Sequence, residues 1–163
     1  MVFSIDTERL SLRLRTADDA ECNLQLLQEH EGGTTLSLDD VAERMVQRSV
    51  QAREDGFGVL SIRLLNEKEP IGYCGLIIGR GSFDEPEIAY EILPQFQGHG
   101  YATEAAAAVV EAAFATGRKR IWATVGSWNV PSFRVLEKNG FSADHRDIGD
   151  NGEFVWMVRN ARA

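Results

Sequence analysis

The segment Gln97-Gly98-His99-Gly100-Tyr101-Ala102 runs straight into an alanine-rich stretch from Thr103 to Gly117. A glycine turn that enters a helix leaves several backbone N–H groups without intrahelical acceptors, at the positive end of the helix dipole. The chemistry this offers is phosphate binding by backbone alone. Two common phosphate loops are excluded. A dinucleotide fold wants a third glycine where Thr103 stands, and a Walker loop wants a Gly-Lys-Ser/Thr ending that is absent.

The loop needs elements to hold it. Upstream, Glu87-Ile88-Ala89-Tyr90-Glu91-Ile92 alternates with period two, as a strand does. Pro94 then ends it, because proline cannot donate to a central ladder. Downstream, Ala106, Val109, Val110, Ala113 and Phe114 form the apolar stripe of a long helix, with Glu104 and Glu111 on another face. The basic triplet Arg118-Lys119-Arg120 follows about 15 residues on, roughly 20 Å from the loop, and reads as C-terminal capping.

Elsewhere, Leu10, Leu12 and Leu14 alternate with Ser11, Arg13 and Arg15 as a first strand. A helix begins near Thr16-Ala17-Asp18-Asp19 and breaks at Gly32-Gly33. A second is capped at Ser37, with Val41, Met45 and Val50 on its buried side. Gly56–Leu65 and Ile71–Ile78 form a hairpin, and Ile121–Val125 a further strand. A short helix runs from Pro131 to Gly140. A closing strand pair turns at Gly149-Asp150-Asn151-Gly152. The sum is an α+β chain with a mixed sheet flanked by helices.

The bulk properties narrow the function classes. A chain of 163 residues without repeats or linkers reads as one domain, 1–163. Its net charge of −8 argues against a nucleic-acid binder and fits a cationic partner better. No apolar run suits a membrane span, and Met1–Asp6 lacks the basic and apolar regions of a signal peptide. Cys22 and Cys74 have no metal-like spacing, and His30, His99 and His145 are scattered. A reduced, cytoplasmic protein without a metal is the expectation.

Gln97, Gly100 and Ala102 satisfy Gln/Arg-x-x-Gly-x-Gly/Ala, which resembles the acetyl-CoA pyrophosphate loop of the GNAT N-acetyltransferase superfamily. Two further segments resemble its RimJ/RimL ribosomal-protein acetyltransferase branch: Thr7-Glu8-Arg9-Leu10 with Leu12-Arg13, and Asn129-Val130-Pro131-Ser132 with Val135 to Phe141. The resemblance implies a mostly antiparallel mixed sheet, acetyl-CoA as cofactor, and acetyl transfer to a primary amine by direct attack. The acceptor is a protein N-terminus or a small amine.

By the same resemblance, Gln97, Gly98, His99, Gly100, Tyr101, Ala102 and Thr103 hold the pyrophosphate, and Ile92 and Leu93 pair with the pantetheine amides. A backbone N–H in that strand would stabilise the oxyanion. Asn129 bonds the cofactor arm, or serves as a helix N-cap, or both. Ser132 is the proton donor at the sulfur, against the alternative of an ordinary first-turn serine. Arg134 either reaches a phosphate or is a solvated arginine.

Two positions depart from the family pattern. Leu136 stands where many members carry a tyrosine acid, and Thr124 where many carry a glutamate base. The first loss is mild, because a thiol of pKa about 8.5 leaves without much help. The second bears on the acceptor. Offering an α-amine neutral at pH 7 costs roughly 1 kcal/mol, whereas a lysine costs over ~4 kcal/mol, so α-amines are favoured. Glu87, Glu91 and His99 remain as bases. The pleat puts Glu87 and Glu91 on one face, opposite Ile88, Tyr90 and Ile92, where they serve the cleft or merely face solvent. A non-catalytic acyl-CoA sensor is the rival reading, and self-association through the sheet or Trp128 is open.

Overall fold

The structure is a computed structural model and describes residues 3–163. Met1 and Val2, part of the N-terminal segment judged above not to be a signal peptide, lie outside the described residues. One eight-stranded sheet carries the fold, in the order β1-β2-β3-β4-β5-β6-β8-β7. Its strands are β1 (Ser4–Asp6), β2 (Leu10–Leu14), β3 (Val59–Leu64), β4 (Pro70–Ile77), β5 (Glu87–Ile92), β6 (Arg120–Gly126), β7 (Ser142–Gly149) and β8 (Gly152–Asn160). Every neighbouring pair is antiparallel except β5 and β6.

That exception positions the site. The parallel register of β5 with β6 consists of one pair, Glu87 with Trp122, and Trp122 N–H donates to Pro86 O at 3.0 Å. Beyond it the two strands diverge, so the backbone of β5 from Tyr90 onward has no strand on that side.

The helices α1 (Ala20–Glu29), α2 (Leu38–Asp55), α3 (Tyr101–Ala115) and α4 (Val130–Lys138) cover the sheet. The main core places Ala106, Val109 and Val110 of α3 and Leu136 of α4 against Leu12, Ile62, Ile88 and Ile121. On the opposite face, Cys22 and Leu26 of α1 pack with Leu93 and Tyr73. Alternation along β5 therefore sends Ile88, Tyr90 and Ile92 towards α3 and α4, and Glu87 and Glu91 the other way.

Several local expectations are corrected. Val50 is 55% exposed, and the buried stripe of α2 is Val41, Met45 and Ala52. Five residues from Met45 is about 140° round the helix, whereas seven return to the same side. Gly56 is not strand: at φ +84° it closes α2, which leaves β3 to begin at Val59. The basic triplet does not cap α3. Arg118 lies 4.8 Å from the Phe57 ring centroid and donates to Thr116 Oγ1, and Arg120 opens β6 beside Glu85. The three-residue β1 has no counterpart in the sequence pattern, since so short a strand carries no readable alternation.

Candidate acetyl-transfer site

The glycine loop is built as a backbone cradle. Gly98 and Gly100 have φ of +80° and +79°, conformations that side chains strain to adopt. Gly100 O accepts the Glu104 N–H at 3.0 Å as the first helical bond of α3. The N–H groups of Tyr101, Ala102 and Thr103 precede it and have no helical acceptor. They line a cavity of about 580 Å³ between α3, α4 and the end of β5, to whose wall Arg134 and Lys138 add two cations. Orphan amides, a helix dipole and two cations fit a pyrophosphate. His99 is exposed on the loop, its ring stacked on Tyr101 at 5.4 Å, and its Nδ1 is engaged by the carbonyls of Gln97 and Phe96.

The loop is braced from the start of β2. Arg9 Nη1 donates to His99 O at 2.8 Å, its Nε to Glu104 Oε2 at 2.6 Å, and its guanidinium carbon lies 4.7 Å from the Tyr101 ring centroid. Thr7 Oγ1 and the Arg9 N–H both donate to Glu104 Oε1, at 2.6 and 2.9 Å. Partial burial pushes the Glu104 carboxyl up, but these bonds outweigh it and hold the group below its ordinary value. The Thr7–Leu10 segment thus supports the cradle, a role that sequence reading did not assign to it.

Leu93 does not lie where the resemblance put it. Its N–H donates to Ile71 O at 2.8 Å, and its buried side chain packs on α1. Because an antiparallel ladder alternates, the N–H groups of Tyr90 and Ile92 point away from β4, into the divergence. The Ile92 carbonyl is taken by Gln97 Nε2 at 2.9 Å. The β5 amides that remain open to an extended ligand are those of Tyr90 and Ile92.

On α4, Asn129 Oδ1 accepts the Ser132 N–H at 3.2 Å, so Asn129 is an N-cap, and its side chain also borders the cavity. Arg134 is exposed on the same wall. The Tyr90 hydroxyl lies 2.8 Å from Ser132 Oγ and donates to Ser132 O at 3.1 Å. Burial pushes the Tyr90 phenol up to about 12, partly offset by the bond to Ser132. The strand pattern marks Tyr90 only as a core-facing residue; the fold brings its phenol to the serine although Leu136 stands at the position where the resemblance implies a tyrosine. No local motif announces this, because the contact joins strand to helix across 42 positions.

A second cavity, of about 420 Å³, opens through the divergence. It shares Tyr90, Asn129 and Ser132 with the first and is lined further by Glu87, Thr124 and Tyr73. Glu87 is 4% exposed; its Oε2 accepts from Thr124 Oγ1 at 2.9 Å and its Oε1 from the Arg80 N–H. A carboxylate from β5 therefore sits directly beside Thr124, the β6 position where the resemblance implies a glutamate. Glu91 lies farther along, bonded by the Tyr73 hydroxyl at 3.1 Å and by His30 Nε2. Four residues of strand separate the two carboxylates, about 13 Å, so they do not act as a pair.

Among the described residues, no group of three His, Cys, Asp or Glu side chains is placed to hold a metal, and no helix is long and apolar enough to cross a membrane. Neither thiol is poised as a nucleophile. Burial pushes Cys22 up to about 11, and Cys74 is wholly buried and raised further.

Such a cradle, with a strand edge open beside it and a cleft passing through the sheet, defines an acyl-CoA N-acyltransferase. The family model described as an acetyltransferase (GNAT) domain matches residues 9–142, and the chain belongs to that family. The chain is 31% identical over 147 residues to the Bacillus subtilis N-acetyltransferase YoaA, covering 86% of this chain and 83% of YoaA. An acetyltransferase from Agrobacterium tumefaciens superposes with a TM-score of 0.81 at 23% identity, covering 99% of this chain and 96% of that one. The ribosomal-protein-S5-alanine acetyltransferase of Vibrio fischeri gives 0.79 at 20% identity, with 96% of each chain covered. The chain is an acetyltransferase that uses acetyl-CoA and an amine acceptor.

Proposed function

We propose that this enzyme passes the acetyl group of acetyl-CoA directly to a primary α-amine, with the two substrates meeting where the cavities join. The observation that carries this reading is that junction: Tyr90, Asn129 and Ser132 border both cavities, one built for a phosphate-bearing arm and one holding a buried carboxylate. The amine nitrogen attacks the acetyl carbonyl carbon, the carbon–sulfur bond breaks, and its electron pair leaves on sulfur. The amine proton passes to Glu87, directly or through one water. Ser132 directs its hydroxyl hydrogen at the departing sulfur as the Tyr90 phenol, 2.8 Å from Ser132 Oγ, turns its own hydrogen from the Ser132 carbonyl to that oxygen. The open N–H groups of β5 favour the charge that develops on the acetyl oxygen.

Direct attack is supported by the raised pKa values and burial of both thiols, which leave no cysteine to carry the acetyl group. Reduced cysteines also suit a cytoplasmic enzyme. An α-amine is supported by the site's modest basic equipment: one carboxylate already accepting two hydrogen bonds suits an amine that is easily offered neutral. A ribosomal-protein acetyltransferase among the proteins of like fold is consistent with an N-terminal acceptor of the RimJ/RimL kind. The family assignment favours turnover over the sensor reading. The test is thiol release from acetyl-CoA across N-terminal peptides, free amino acids, polyamines and aminoglycosides. Release confined to α-amines and diminished in Ser132→Ala supports the reading; release only with lysine-like or polyamine substrates overturns it.

A further inference from the structure

Beside the acceptor cleft lies a third cavity, of about 380 Å³, between the C-terminal half of α2 and the ends of β3 and β4. Its floor is apolar, formed by Phe57, Leu76, Ile77 and Ile78, yet Arg15 and Arg48 both line it. Arg15 is 8% exposed. Its Nη2 donates to Asn23 Oδ1 at 3.1 Å, and its Nε is sealed from solvent without a partner. Among the described residues, neither arginine has a carboxylate within 4.0 Å. Asp55, the acid on the same wall, is engaged by Gln51 Nε2 at 3.0 Å, and the nearby Asp19 is bonded to Arg63 and Ser61. Burial lowers the Arg15 pKa, Tyr73 opposes the shift, and Arg48 adds to it.

A buried guanidinium with no carboxylate in contact is costly even with Asp19 at longer range, and a second arginine beside it adds like-charge repulsion. An anion between the two removes both costs. The cavity also adjoins the reaction site. It shares Ile77 with the acceptor cleft, and the Arg15 guanidinium carbon lies 4.5 Å from the ring centroid of Tyr73, which lines that cleft.

Building on the α-amine reading above, we propose that this cavity binds a carboxylate carried by the acceptor. Arg15 and Arg48 hold the anion, and the Ile77–Ile78 floor takes an apolar group beside it. The acceptor class is therefore an α-amine with an apolar body and a carboxylate a few bonds away, as in a short peptide with a free C-terminus. The net charge of −8 does not oppose this, because the charged groups of the lining are two arginines against the single carboxylate of Asp55.

The test compares the dipeptide Leu-Phe with its C-terminal amide, reading both acetylation (kcat/KM) and calorimetric affinity. Wild type should favour the acid at least tenfold in both. Arg48→Ala, at an exposed position that does not threaten the fold, should cut that preference below threefold, and Arg15→Lys should weaken it as well. Equal handling of acid and amide by wild type overturns the proposal, as does a preference that survives both substitutions, or failure to bind either peptide. If an Arg48-dependent affinity for the acid is found without acetylation of either peptide, the anion site stands and the α-amine reading falls.

Discussion

Arg9 and Glu104, 95 positions apart, are joined so that the opening of β2 grips the first turn of α3, the helix that follows the glycine loop. The pairing answers an electrostatic difficulty. A bare carboxylate one turn into α3 would repel a phosphate at its N-terminus, and Arg9 neutralises it while tethering His99 O. Arg9→Ala should weaken acetyl-CoA binding about tenfold, the scale of one lost charge-assisted bond, with kcat at saturation little changed. Calorimetric titration with CoA checks this; an unchanged affinity would remove the brace from the binding account.

The same carboxyl gives a pH dependence of defined sign. Because its pKa is lowered on folding, its stabilisation is present above the ordinary glutamate value, about 4.3, and is lost as pH falls through the lower folded value. Glu104→Gln should therefore melt roughly 2–4 °C below wild type at pH 7, taking about 1 kcal/mol for a half-exposed cluster. The gap should close below about pH 4. A gap that widens on acidification contradicts this assignment.

Tyr90→Phe removes one oxygen from the junction and leaves its ring in the core. Turnover should fall about tenfold, in keeping with one lost hydrogen bond, with KM for acetyl-CoA nearly unchanged. Since the phenol acts through Ser132, adding Tyr90→Phe to Ser132→Ala should cost little more. Full additivity of the two losses would show that they act separately.

Glu87→Gln keeps the shape of the buried group and removes its proton-accepting power. A tenfold to hundredfold loss in kcat is expected, together with loss of the acidic limb of the pH–rate profile. Glu91→Gln, whose side chain is tied to Tyr73 and His30, should retain that limb. An unaltered profile in Glu87→Gln excludes it as the base.

Gly98 separates backbone from packing, because a Cβ there meets nothing within 4 Å. Gly98→Val should nonetheless weaken acetyl-CoA binding, since a left-handed φ costs a β-branched residue ~1–2 kcal/mol, whereas Gly98→Asn should be milder. Equal affinities for both variants would mean that the turn's conformation does not matter to the ligand.

What could be read from sequence was local in character. The glycine loop, the strand before it and the helix after it follow from neighbours within a few residues, and so does the pleat that turns Glu87 away from Tyr90. The contacts that complete the site join distant segments: Glu104 with Thr7 and Arg9, Tyr90 with Ser132, Glu87 with Thr124. Leu93 was misplaced for a related reason. Which amides of a strand stay free depends on the register with its neighbour, and the sequence does not display register.

The lone ladder pair between β5 and β6 also has a mechanical consequence. Two sheet segments joined at one rung have fewer hydrogen bonds across the join than within themselves, so the gap is expected to yield before either segment does. Ligand bound along β5 acts as a wedge that stops the segments breathing, and it should slow amide hydrogen exchange at Tyr90 and Ile92 first. The rate of CoA release should then respond to substitution of Trp122, the β6 side of that rung, as well as to changes at the glycine loop.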